Sequence, residues 1–332
     1  MDQRALLAGD LGATHTRLAI VSAGAGVRQP LASAEFRSAD HGSLTELVQV
    51  FLSQVHIPVK RAVLGVPGPV VDGRARITNL PWTIDAEHLA KSGGFSNVML
   101  VNDVQALGYA LPLLEPEEMH TLNPGTPVLG APNAIIAPGT GLGEAFVVFD
   151  GGKPRAYATE GGHTDFGPTD PRQVGLLEYM GAKFEHVSYE RVCSGRGMPL
   201  IYNYLKESGF AEEPAWLKER LAAADDPNPV IVAAALQEPI SALCRGVLDL
   251  FVSVLGAEAG NLALKVLATG GVYLGGGIPR RIITALDGRT FIDAFRRKGR
   301  LAPLLARIPV HVILLPQAAL LGAATYGLQE RA

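Results

Sequence analysis

The sequence predicts an α/β protein built in two lobes. Three observations carry that expectation. Apolar strands alternate with helical segments along the chain. At 332 residues the chain exceeds what one ordinary core needs and suits two. One device, strand–Gly/Thr turn–strand, occurs twice, in GDLGAT (9–14) and APGTGLGE (137–144). Two such hairpins in one chain suggest a pseudo-repeat.

The elements follow in order. ALLAGD (5–10) is a short apolar run ending in Asp10, LGAT turns, and RLAIV (17–21) is a second, β-branched run. This is strand–turn–strand. A Rossmann or Walker loop instead needs a helix directly after its glycines, and neither motif is present at the right place. LTELVQVFLSQV has apolar residues at helical spacing and predicts a helix over 43–56. RAVLGV (61–66) reads as a buried strand stopped by Pro67 and Gly68, and ARITNLPW as extended chain with a turn. NVMLVND (97–103) is another strand with polar residues at its end, and a helix over 104–111 ends at Pro112. Residues 112–133 show no clear period and hold five prolines, so a lobe crossing is expected at their start. Beyond the second hairpin, 171–256 reads largely helical, with breaks near Gly209 and at 227–229. Residues 265–281 read as strand, Gly-rich turn and helix, VHVILL (310–315) as a final strand, and 317–328 as a small-residue apolar helix that returns to the first lobe.

Composition narrows the function classes. With 48% hydrophobic and 18% charged residues the chain can fill sizeable cores. A net charge of −3 offers no basic surface, so nucleic acid is not an expected partner. Cys193 and Cys244 are too few for a secreted disulfide framework or a Cys-rich zinc site, and read as reduced cytosolic thiols. The eight residues before Gly9 are too short for a signal peptide, and the late apolar stretch is broken by His311, Pro316 and Gln317, so no membrane span is expected.

Several constellations could carry chemistry. Glycines in the two hairpins let the backbone approach a bulky anion, Thr14 and Thr140 add hydroxyls, and Asp10 could hold Mg²⁺ or its waters. Ordinary Gly-rich hairpin turns are the other reading. In VNDV (101–104) Asn102 and Asp103 end a strand; Asp103 could take a proton from a substrate hydroxyl while Asn102 orients that substrate. By spacing alone, Asp103 reads first as the cap of the following helix. Glu160 and His163 in EGGH flank two glycines, which disfavour a helical metal motif; on a loop they suit hydrogen bonding to sugar hydroxyls, or are simply surface residues. Glu190 in YERVCSGRGM reads by default as a first-turn partner of the helix dipole. GGVYLGGGIP (270–279) could be a backbone-lined slot for a purine or a packing turn.

Together these motifs resemble one family. GDLGATHTRLAI is similar to the first phosphate loop of bacterial glucokinases, VNDVQALGYAL to their catalytic strand and helix, and APGTGLGEA to their second phosphate loop. EGGHTDFGP and YERVCSGRGM resemble their sugar-binding segments, and GGGIPRR, AFRRKGR and IPVHVIL their C-terminal third. The resemblance implies the two-lobed hexokinase/actin-like (ribonuclease-H-like) fold, with the active site in the interlobe cleft. The smaller lobe would hold 1–112 plus 316–332 and the larger 113–315. It implies ATP-dependent phosphorylation of glucose, the first step of glycolysis, by a cytoplasmic homodimer using ATP and Mg²⁺. Asn102, Asp103, Glu160, His163 and Glu190 fall on sugar-contacting positions, with Asp103 on the base. Gly9, Asp10, Leu11, Gly12, Ala13 and Thr14, and Gly139, Thr140 and Gly141, fall on phosphate contacts, and Asp10 would hold Mg²⁺ through water. Two departures touch the donor side. The family's Gly-Gly-Thr-Asn is here Gly12-Ala13-Thr14-His15, and Glu144 stands where an apolar residue is usual.

Other readings are a broader hexose kinase, a kinase with ADP or polyphosphate as donor, a zinc-containing ROK kinase or repressor, and an idle sugar sensor. The segment after EGGH carries no zinc-type cysteines, and eight residues before the first loop cannot supply a repressor's helix-turn-helix. Retention of Asp10, Asp103 and Thr140 argues against a sensor.

Overall fold

The computed structural model describes residues 5–12, 14–77, 80 and 82–329. Ala13 lies outside them. The chain divides into two compact units: Met1–Glu118 with Ala145–Ala158 and Leu315–Ala332, and Met119–Glu144 with Thr159–Leu314.

The first unit is organised by strands β1 (Leu6–Leu11), β2 (His15–Val21), β3 (Ala32–Arg37) and β4 (Arg61–Val66), a small ribbon of β5 (Arg74–Arg76) and β6 (Thr83–Asp85), and β7 (Asn97–Asn102). Its sheet runs β3-β2-β1-β4-β7. β1, β2 and β3 are antiparallel neighbours, while β4 and β7 run parallel to β1. β1 and β4 are buried almost throughout, as their continuous apolar runs require. Helix α1 (Leu44–Val55) begins where Ser43 accepts the Glu46 N–H, and Glu46 in turn accepts the Gly42 N–H. Its apolar stripe, Leu44, Leu47, Val48 and Phe51, faces the core. Helices α2 (Ala86–Gly93) and α3 (Asp103–Ala110) complete the segment. The last helix, Ala318–Gln329, packs on β1, β4 and α3. Gly322 allows that approach, because any Cβ there would overlap the Ala106 carbonyl.

The second sheet holds β8 (Met119–Asn123), β9 (Asn133–Pro138), β10 (Leu142–Asp150), β11 (Lys153–Thr159), β12 (Gly271–Leu274) and β13 (Val310–Ile313), in the order β11-β10-β9-β12-β13-β8. β12 is parallel to β9 and β13. Turns of three and two residues join β9 to β10 and β10 to β11, lengths that only antiparallel neighbours permit. Gly151 and Gly152, at φ +56° and +80°, make the second of these turns. β8 lies within the stretch where no period was legible; it is an edge strand antiparallel to β13.

Helices α4 (Pro171–Gly181), α5 (Tyr189–Val192), α6 (Met198–Glu207), α7 (Ala215–Ala222), α8 (Pro227–Leu236) and α9 (Ala242–Lys265) follow β11. Pro227 opens α8 behind the Asp226 cap, so the Pro-Asn-Pro stretch starts a helix as well as ending the segment before it. α9 is long and apolar enough to cross a bilayer, yet 78% of its most apolar window is buried inside the protein. It is the core helix of the second unit, and truncating fully buried Phe251 to Ala would cost about 3–5 kcal/mol. Within this helix Glu258 is fully buried.

Candidate active site

In the first unit, strand register gathers the chemistry at one sheet edge. Asp10 pairs with Gly65 across β1 and β4, Gly65 with Val101, and Val66 with Asn102. Asp10 and the Asn102–Asp103 pair therefore sit at the carboxyl ends of parallel strands, where open α/β sheets place ligands. A Cβ added to Gly65 would lie 3.8 Å from the Asp103 Cα and 3.4 Å from the Gly9 carbonyl. Gly65, which sequence reasoning passed over, lies between these segments, and a Cβ there would make only ordinary contacts.

Asp103 was expected to cap α3; Asn102 does so instead. Its Oδ1 accepts the Val104 and Gln105 N–H groups, each at 3.0 Å, and its Nδ2 donates to Gly68 O. β7 ends one residue earlier than read, so the cap position falls on Asn102. One Asn102 N–H is left over after these bonds. Asp103 becomes the first helical residue, half-buried, with Oδ1 accepting its neighbour's N–H from Val104 at 2.9 Å.

The first hairpin is tight. Gly12 N–H donates to His15 O at 2.9 Å, and a Cβ on Gly12 would lie 2.7 Å from that same oxygen. Ser38 buttresses it, donating its hydroxyl to Gly12 O and its N–H to Thr14 O. Thr14 and His15 are exposed. Gly9 and Leu11 are buried in the sheet, where Gly9 leaves room for Leu64 and Leu18 and is paired with strands on both sides. The Asp10 carboxyl is pushed up to about 6 by burial, against the pull of Arg17 at 3.7 Å, with Glu35 adding a further upward push. Among the described residues no cluster of three or more His, Cys, Asp or Glu could hold a metal. A lone carboxylate still fits Mg²⁺, which keeps most of its waters and takes one or two carboxylates beside substrate phosphates.

The second hairpin is clamped from the 190–197 segment. Gly195 N–H donates to Gly139 O at 2.8 Å, and Arg196 N–H donates to Thr140 O. Glu190 Oε2 accepts the Leu142 N–H at 3.0 Å, and a Cβ on Gly141 would overlap that carboxylate. Glu190 is thus more than a dipole partner for the four-residue α5. Gly139 has open space at its Cβ position and Thr140 is exposed. At the 270–277 turn, a Cβ on Gly276 (φ +82°) would lie 2.6 Å from Pro138 O, so this glycine is required by packing beside the hairpin.

Glu160 and His163 bracket the turn Gly161–His163, with His163 N–H bonded to Glu160 O at 3.0 Å. Both side chains are more than half exposed and stand 3.9 Å apart. Gly162 is dictated by crowding, since a Cβ there would overlap the Leu142 carbonyl; at Gly161 a Cβ would meet the end of the Glu144 side chain. His163 and Glu190 share a pocket of about 460 Å³ with His186, Ser188, Arg191 and Arg196. A larger cavity, about 550 Å³ beside Asp170, Arg172 and Asp249, contains none of the expected site residues.

Glu144 does not face the hairpin's open side. It is 2% exposed, and burial together with the nearby Glu258 carboxylate pushes its carboxyl up to about 8, against the pull of Lys265. Cys193 and Cys244 are buried and unpaired.

Comparison with known proteins gives the family and the fold. The family model described as Glucokinase matches residues 7–330. A glucokinase of Nostoc punctiforme is 38% identical over 334 residues, spanning 96% of this chain and 97% of the relative. The crystal structure of a glucokinase from an Antarctic psychrotroph superposes with a TM-score of 0.80 at 28% identity, covering 99% of this chain and 100% of that one. A ROK family glucokinase from Streptomyces griseus, solved with glucose and AMPPNP, shares the fold at a TM-score of 0.67 and 18% identity, over 98% of this chain and 100% of that one. The fold is the hexokinase/actin-like one.

Proposed function

The chain belongs to the glucokinase family, and we propose that it transfers the γ-phosphoryl group of ATP to the 6-hydroxyl of D-glucose, with Asp103 as general base. The observation that carries this reading is the register that sets Asp10 and Asn102–Asp103 at the carboxyl ends of β1 and β7, with Gly65 between them. In this reading Asp103 takes the hydroxyl proton as the oxygen attacks phosphorus. The spare Asn102 N–H, Glu160, His163 and Glu190 hold the ring hydroxyls. The backbone of Gly9–Thr14 and Gly139–Gly141 holds the donor phosphates. Mg²⁺, held at Asp10 through water, would neutralise phosphate charge. Most of the rate then comes from positioning and charge neutralisation. Asp103→Asn should retain glucose binding by calorimetry while turnover falls roughly 10²-fold or more; near-normal turnover removes Asp103 from the role.

Resemblance to the family also supports a cytoplasmic homodimer. Light scattering behind size exclusion should return about twice the 35.0 kDa chain mass, and a monomer at micromolar concentration would overturn the dimer.

A further inference from the structure

Beneath the turn that carries Glu160 and His163 lies a polar cluster that the reaction as described does not use. Glu144 stands at its top, two residues into β10 from the hairpin. Its carboxyl fills the space that a side chain on Gly161 would need. Its own carbonyl accepts the Thr159 hydroxyl, and the Thr159 oxygen accepts the Gly161 N–H at 3.1 Å. The turn is then tied on through Thr164, whose hydroxyl donates to Gly161 O and whose carbonyl accepts the N–H of Tyr189, the neighbour of Glu190. Backbone and side chain of Glu144 thus both bear on the turn, and the strand it belongs to begins at the Leu142 N–H held by Glu190.

The surroundings fix the charge state. On α9, Glu258 is fully buried, accepts from Asn261 at 2.8 Å and pairs with half-exposed Lys265 at 3.2 Å. Asn261 also donates to the Tyr189 hydroxyl, and Lys298 donates to Ala257 O and to Asn261. Cys193, behind α5, is buried in the field of both glutamates. Lys265 is committed to Glu258, whereas Glu144 Oε1 has no hydrogen-bond partner among the described residues. Of the two cations nearby, Lys265 pairs with Glu258 and Lys298 is held by Ala257 O and Asn261, so burial favours a proton on Glu144, the carboxyl with no cation bonded to it.

We propose that Glu144 is a positioning residue for sugar binding: its carboxyl, wedged under Gly161, sets the height and tilt of the turn that presents Glu160 and His163. The inference rests on those two residues being sugar ligands. As the neutral acid, Glu144 packs against the glycine without drawing water or a counter-ion into the site. Once ionised, it repels Glu258 and must be hydrated, which displaces the turn.

The test is steady-state kinetics from pH 6 to pH 9.5 on the full-length enzyme. Glu144→Ala should raise the glucose KM at least about fivefold at pH 7, with kcat and the ATP KM moving less than about threefold. Glu144→Gln, a neutral isostere, should rescue the glucose KM. It should also abolish the rise in that KM that the wild type shows above about pH 8. Glu160→Ala serves as the control. If it leaves the glucose KM unchanged, the sugar-site reading itself fails. If it raises KM while Glu144→Ala stays within twofold, or if Glu144→Gln keeps the wild-type alkaline rise, the inference about Glu144 is overturned.

Discussion

The two sheets share a plan and differ at the hairpin. Each runs antiparallel through three strands and then parallel through two, as β3-β2-β1-β4-β7 and as β11-β10-β9-β12-β13, the second adding β8 at its edge. In the first, the penultimate residue before the turn is Asp10, and the turn is held by its own sheet and by Ser38. In the second, Ala137 stands at the corresponding place, and the turn is held by Glu190, Gly195 and Arg196 from another part of the chain. One hairpin can therefore bring a carboxylate to a ligand, while the other offers backbone and the Thr140 hydroxyl, on a support that also carries a proposed sugar ligand. Duplicated topology has been given unequal chemistry by changing what braces each turn.

Two experiments probe that contrast, the stronger effect first. Burial of an acid under the second hairpin should make stability pH-dependent. The folded Glu144 keeps its proton to about pH 8, while the unfolded chain releases it near 4.5. Between those values the folded state binds more protons, so wild-type stability falls as pH rises and levels off above about 8. Glu144→Gln should match the wild type at pH 4.5 and exceed it by on the order of 4 kcal/mol at pH 8 in denaturant titrations; parallel curves would show that Glu144 is not held neutral.

The second experiment grades the glycines by alanine substitution. Gly162→Ala, crowding the Leu142 carbonyl, should cost roughly 2–3 kcal/mol. Gly12→Ala in the first hairpin, where the added Cβ would stand 2.7 Å from His15 O, a milder overlap, should cost roughly 1–2 kcal/mol. Gly139→Ala, with open space, should stay within about 0.5 kcal/mol of wild type yet raise the ATP KM, because the methyl occupies the proposed phosphate face. Equal losses at Gly162 and Gly139 would erase the distinction between packing and ligand glycines.

Much of the frame was legible in the chain. RAVLGV and NVMLVN are continuous apolar runs with clear stops, and they form β4 and β7 within a residue. β8 was not legible, because Met119-His120-Thr121-Leu122-Asn123 is half polar and sits among prolines, as an edge strand can. The helix cap was misplaced by one residue because Asn and Asp are near-equal caps, and only the end of the strand separates them. Glu144 was read as a neighbour of phosphate. Strand alternation held the opposite signal, since Glu144 shares a face with buried Leu142. The reason for Gly162 in EGGH lies in β10, distant in sequence, and no local pattern reveals it.

The closing helix has a consequence for how the protein is made. The first unit is stitched from both ends of the chain: Arg61 donates to the Gly327 carbonyl across 266 positions, and Gly322 lies against Ala106. Its core strands emerge from the ribosome early, with one face still waiting for a cover that is synthesised only after the second unit. All residues of the second unit are therefore synthesised before the first can be sealed. Deleting Ala318–Gln329 would therefore uncover strands made early, far from the deletion in sequence.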